Sequence, residues 1–213
     1  MRYAYLHGFA SSSKARKGVA LRERFLTAGI ELELPDLNRP AFAELSHGAI
    51  LAFLDQLFGA DPVRLIGSSF GGWLAARWAE LHPTQVDRLL LLCPGFHLAE
   101  RWPALFGAEA MAAWQRTGGH LVEDAAGVPT RLHYGFYEES LRQPASPAVP
   151  CPTHIVHGVR DEVVPIEGSR RYAAEHRSVR LIEVDDDHSL IASIDRVADA
   201  AHTIFEFPSS AAS

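Results

Sequence analysis

Short apolar runs rich in Val, Ile, Leu and Tyr alternate along the chain with longer stretches in which apolar positions recur every three or four residues. The short runs cover residues 2–7, 30–34, 63–67, 88–93, 153–157 and 180–184. Most are nearly continuous, the pattern of strands covered on both faces. The longer stretches predict helices over residues 13–28, 42–58, 70–81, 167–176 and 189–205. In the first of them Val19, Leu21, Phe25 and Leu26 are the apolar positions, and Gly29 supplies a stop. Such alternation predicts an open, mainly parallel α/β sheet of six strands with helices on both faces.

Residues 94–150 break the pattern. They hold no clear strand but many aromatics, among them Phe96, Trp102, Phe106, Trp114, Tyr134, Phe136 and Tyr137. The stretch exceeds a normal connection and therefore needs structure of its own. It is expected to be a helical insertion, at about residues 95–150, within one domain spanning 1–207. Pro144, Pro147, Pro150 and Pro152 bring the chain back to the sheet. The tail, residues 208–213, has the Pro, Ser and Ala composition of a frayed end and is expected to be disordered.

Composition narrows the partners. The 213 residues carry a formal net charge of -6 and no sustained basic run, which argues against nucleic acid or an anionic membrane as the target. No window approaches the ~20 apolar residues of a membrane span. The first residues lack the pattern of a secretory signal. Cys93 and Cys151 fall at opposite ends of the expected sheet, so no disulfide is expected between them. Together these features point to a cytoplasmic protein.

The chemistry gathers at three loops. In Val63-Arg-Leu-Ile-Gly67-Ser68-Ser69-Phe70-Gly71-Gly72 a Gly-x-Ser-x-Gly pattern follows an apolar strand and opens a helix, the setting that presents a nucleophilic serine. Ser69 sits at its centre. Side chains at Gly67 and Gly71 would crowd the tight turn that exposes the hydroxyl. A serine needs a base, and in this arrangement an acid and then a histidine follow in chain order. Asp161 follows the strand at 153–157, and His188 follows the strand at 180–184. Both stand at carboxyl ends of strands, where sites of parallel sheets gather. Glu162, beside Asp161, is expected to point elsewhere. His154 and His157 read as core residues, and His47, His82 and His176 as surface residues. Asp185, Asp186 and Asp187 resemble a cation site but read as a solvated loop, so no metal is called for.

The third loop is His7-Gly8-Phe9-Ala10-Ser11, after the first strand. Its Phe9 N–H and the Phe70 N–H are the expected oxyanion donors. His7 is expected to hold the loop through hydrogen bonds.

These segments, Tyr5-Leu-His-Gly-Phe-Ala-Ser-Ser-Ser13 and Gly67-Ser-Ser-Phe-Gly-Gly72 above all, resemble the small bacterial YqiA/YcfP-type α/β-hydrolases. The resemblance is clearest over the first 80 residues and around Asp161 and His188. It implies carboxylester or thioester hydrolysis with Ser69, Asp161 and His188 as the triad. It also implies a sheet lacking the first two strands of larger relatives, with strand order 2-1-3-4-5-6. The expected activity is cleavage of a small-molecule carboxylic ester through an acyl-serine intermediate, without a cofactor. Thioester hydrolysis or acyl transfer would use the same triad, and a non-catalytic binding module on the same scaffold is the alternative of another class. The insertion would cover the site, with Trp102, Phe106, Trp114, Phe136 and Tyr137 as candidate pocket residues.

Overall fold

The computed structural model describes residues 1–207. The disorder expected of 208–213 lies outside the described residues. Five parallel strands form the central sheet: β1 (Arg2–Leu6), β2 (Val63–Ser68), β3 (Val86–Leu92), β6 (Thr153–Gly158) and β7 (Val179–Val184), in the order β1-β2-β3-β6-β7. Period-two alternation sends strand residues to two separate cores. Leu65, Leu89, Leu91 and Ile155 pack with α2 (His47–Phe58) and α3 (Phe70–Leu81) on one face. Ile66, Leu90, Leu92 and Val156 pack with α1 (Arg16–Thr27) and α8 (Ile194–Phe205) on the other. Helix α7 (Ile166–Glu175) adds Tyr172 to the first core.

Three expectations change. The sixth strand, expected at residues 30–34, is reduced to one bridge between Glu33 and Ala4. It lies beside β1, where strand 2 of the expected order belongs. Glu33 N–H donates to Tyr3 O at 2.9 Å and Glu33 O accepts from Tyr5 N–H at 2.8 Å, but Pro35 has no N–H to extend the ladder. The insertion, expected to be helical, combines α4 (Leu98–Phe106), α5 (Ala108–Thr117) and α6 (Gly135–Leu141) with an antiparallel hairpin, β4 (Gly119–Glu123) and β5 (Pro129–His133). Asp124 closes its turn by accepting from the N–H groups of Ala126 and Val128 at 2.8 and 3.0 Å. Only Leu132 of the ten strand residues is buried, which is why the hairpin has almost no apolar signature.

The third change concerns the helix expected over 42–58. A single 3₁₀ turn, Phe42–Glu44, precedes an extended break, and α2 starts at His47 behind the N-cap Ser46. Helices α1 and α8 likewise begin at Arg16 and Ile194, later than expected. His47 is buried, not on the surface, stacking on Phe136 at 4.7 Å. No helix of the described residues is long and apolar enough to cross a membrane.

Candidate active site

Strand register aligns the carboxyl ends of the sheet. Leu6 pairs with Gly67, Ser68 with Leu92, Leu92 with Val156, and Gly158 with Val184. The loops that follow carry Gly8 and Phe9, Ser69, residues 94–96, Asp161 and His188 to the same edge. Ser69 turns the chain from β2 into α3 with φ 55° and ψ -121°, a left-handed geometry costly for a residue with a Cβ. Close packing sustains it. A Cβ on Gly67 would lie 2.2 Å from Gly71 O, and one on Gly71 would lie 2.1 Å from Leu6 O. The β1 loop approaches so closely that a Cβ on Gly8 would stand 3.2 Å from that of Ser69. His7 holds this loop: its Nε2 accepts from Leu37 N–H at 2.9 Å, and Nδ1 meets Gly8 O at 2.9 Å. Phe70 opens α3, whose first N–H groups have no partner within the helix.

His188 Nδ1 donates to Asp161 Oδ2 at 2.7 Å. Oδ1 of the same carboxylate accepts from the N–H groups of Val163 and Val164, at 2.9 and 2.8 Å. His157 completes its surroundings. Its Nε2 lies 2.9 Å from Val164 O and 3.2 Å from Asp161 Oδ2, both acceptors, so that nitrogen carries the proton. Nδ1 then accepts from Ser169 Oγ at 2.8 Å. Burial would raise the pKa of Asp161, but His157, His188 and the Val164 N–H more than offset it and hold the carboxyl well below the usual range. An ionised Asp161 keeps the His188 proton on Nδ1 and leaves Nε2 available as a base. His157 is thus a core histidine, as its strand position suggests, but also a second ligand of the acid.

Lys17 lies beneath these loops. Its Nζ donates to Ser68 Oγ at 3.0 Å and to the His188 carbonyl at 3.3 Å, joining α1 to the residue before Ser69 and to the histidine loop. Burial lowers its pKa, countered by the carboxylates of Asp161, Asp186 and Asp187. Nothing in the Gly-x-Ser-x-Gly pattern points to this residue. The available signal was its spacing: residues 17, 21 and 25 share one face, so Lys17 is aligned with buried Leu21 and Phe25. Asp186 also departs from the expected solvated loop; it is buried and accepts from Ser193 N–H at 2.7 Å.

Cys93 Sγ, an Asp161 oxygen and a His188 nitrogen lie within 4.8 Å of one another, a spacing that would suit a metal. In this structure Asp161 and His188 are hydrogen-bonded to each other there, and burial pushes the Cys93 thiol up to about 12.

Of the candidate pocket aromatics, Trp102, Trp114, Phe136 and Tyr137 are buried in the core. Trp102 stacks with Trp114 at 5.3 Å and with Tyr137 at 5.9 Å, and Phe106 meets Trp102 edge-on at 5.6 Å. These five rings pack on one another, and none of them lines the cavities of about 70 and 320 Å³ in this structure. A cavity of about 70 Å³ is lined instead by residues that include His47, Phe70, Trp73, Leu98 and Ser140. Phe70 connects it to the Ser69 turn.

Known proteins share this architecture. Rat mitochondrial palmitoyl-protein thioesterase ABHD10 is 27% identical, the match covering 94% of this chain and 76% of that protein. A pimeloyl-[acyl-carrier protein] methyl ester esterase from Chromobacterium violaceum is 29% identical over 80% of this chain and 79% of its own. The solved structure of mouse α/β-hydrolase domain-containing protein 10 superposes with a TM-score of 0.75 at 24% identity, covering 96% of this chain and 89% of that one. These relatives make the chain a hydrolase of the α/β superfamily. The profile of the uncharacterised protein family UPF0227 matches residues 2–206. On that match, and with this sheet and these loops, the chain belongs to UPF0227, the YqiA/YcfP family of α/β-hydrolases.

Proposed function

We propose that the protein is a cytoplasmic serine hydrolase that cleaves carboxylic esters through an acyl-Ser69 intermediate. The observation that carries this reading is the 2.7 Å hydrogen bond from His188 Nδ1 to the enclosed Asp161, on the sheet edge that also presents Ser69. His188 Nε2 takes the Ser69 proton as Oγ attacks the ester carbonyl carbon. The N–H groups of Phe9 and Phe70 receive the oxyanion. Collapse of the tetrahedral intermediate breaks the bond to the alcohol, which leaves with the proton from His188. Water then attacks the acyl-enzyme, giving its proton to His188, and release of the acid returns that proton to Ser69.

Thioester hydrolysis is the second reading. Two relatives carry complementary names, a thioesterase and a methyl ester esterase, and the acyl-serine intermediate is common to both. The non-catalytic alternative is disfavoured because Ser69, Asp161, His188 and the Gly8-Phe9 loop all stand at one edge. A fluorophosphonate probe tests the nucleophile: it labels wild type and not Ser69→Ala. Labelling that survives the substitution overturns the assignment. A series of p-nitrophenyl esters and matching acyl thioesters then ranks the two activities.

A further inference from the structure

A cavity of about 320 Å³ lies between α4 and α7, with Pro94, Phe96, Val164 and Pro165 among its walls. It adjoins the site from two directions. Gly95, next to Pro94, donates its N–H to Ser69 O at 2.8 Å, and Val164 donates to Asp161 Oδ1 at 2.8 Å.

Charged side chains of both signs also line it, and they differ in their partners. Glu100 is paired with His97 at 3.1 Å, and Glu167 with Arg170 at 3.3 Å. The lining arginines, Arg101 and Arg171, have no ion-pair partner among the described residues. Arg101 Nη1 is moreover buried without a hydrogen-bond partner. Arg39, Arg77 and Arg88 also bury an unbonded nitrogen. There the rest of the guanidinium is engaged: Arg77 holds Glu80, Arg88 holds Glu206, and Arg39 lies over the Phe53 ring. The nearby charge that Arg101 senses is Asp161, whose oxygens are already taken by His157, His188, Val163 and Val164. Arg101 as a whole is only partly buried and lines the cavity, so the guanidinium N–H groups that stay accessible are the donors for an anion that enters it.

We infer that Arg101, with Arg171 at the rim, receives an anionic group, carboxylate or phosphate, on the substrate whose ester Ser69 attacks. The apolar walls suit a short chain that separates anion from ester. This inference rests on the serine-hydrolase reading and names the substrate class for it.

The test compares mono-p-nitrophenyl glutarate and p-nitrophenyl 4-phosphonobutyrate with the uncharged p-nitrophenyl valerate. Wild type is expected to prefer one of the charged esters, and which one identifies the anion. Arg101→Met should lower the charged-to-neutral ratio of kcat/KM about tenfold or more, mainly through KM, and Arg101→Lys should recover part of it. A ratio that Arg101→Met does not move overturns the inference. If wild type cleaves none of the esters, the serine-hydrolase reading fails and calorimetry decides the site separately. Glutarate or inorganic phosphate binding to wild type and lost in Arg101→Met supports it; equal binding, or none, overturns it.

Discussion

At the scale of single residues, the site depends on groups that act through others. Ser69→Ala should abolish ester turnover, by a factor on the order of 10³ or more, with folding intact by circular dichroism. Asp161→Asn keeps the shape but not the charge that fixes the His188 tautomer, and should lower kcat by about 10³- to 10⁴-fold in the same assay. Lys17→Met should separate activity from stability. It removes the donor to Ser68 Oγ and to the His188 carbonyl, so kcat should fall about tenfold. An apolar side chain in place of a buried amine should leave Tm unchanged or higher, which calorimetry can read. Ser69, Asp161 and His188 were legible because each follows a strand in a fixed chain order. Lys17 and Arg101 were not: Lys17 meets Ser68 and His188, far along the chain, and the cavity that Arg101 lines is closed by the distant α7.

Elements show where pattern suffices and where it does not. The five paired strands stand out because both faces are covered, so their apolar runs are continuous. The hairpin β4–β5 was hidden by its exposure, whereas the run at 30–34 reads as a full strand that Pro35 cuts to a single bridge. The start of α2 is set across the chain. Glu139, in α6, accepts from the N–H groups of His47 and Gly48 at 2.9 and 2.7 Å. Burial would raise its pKa, but His47 and these two N–H groups outweigh that and hold the carboxyl at about 2, below its ordinary 4.5. The folded-state value is the lower one, so the stabilisation is present above the ordinary value and fades as pH falls toward about 2. Glu139→Gln should therefore cost about 1 kcal/mol at pH ~7 by urea unfolding, and the difference from wild type should shrink as the pH is lowered through about 4.

Across the whole molecule, an aromatic core fastens the insertion to the Ser69 turn. Phe136 is fully buried, stacks on Phe9 at 5.7 Å and meets Phe70 edge-on at 5.7 Å. Phe136→Ala should cost about 3–5 kcal/mol in urea unfolding and raise KM for esters, because Phe9 and Phe70 carry the expected oxyanion donors. The sequence by itself determined the parallel sheet, the turn at Ser69 and the placing of Asp161 and His188 after strands. These depend on local periodicity and on glycines that admit a close approach, which a chain displays residue by residue. Only the tertiary structure decided that Trp102, Phe106, Trp114, Phe136 and Tyr137 pack on one another, that Lys17 supports the histidine loop, and that Arg101 has no ion-pair partner among the described residues. Burial and pairing are relations between distant segments, and they exist only once the chain has folded.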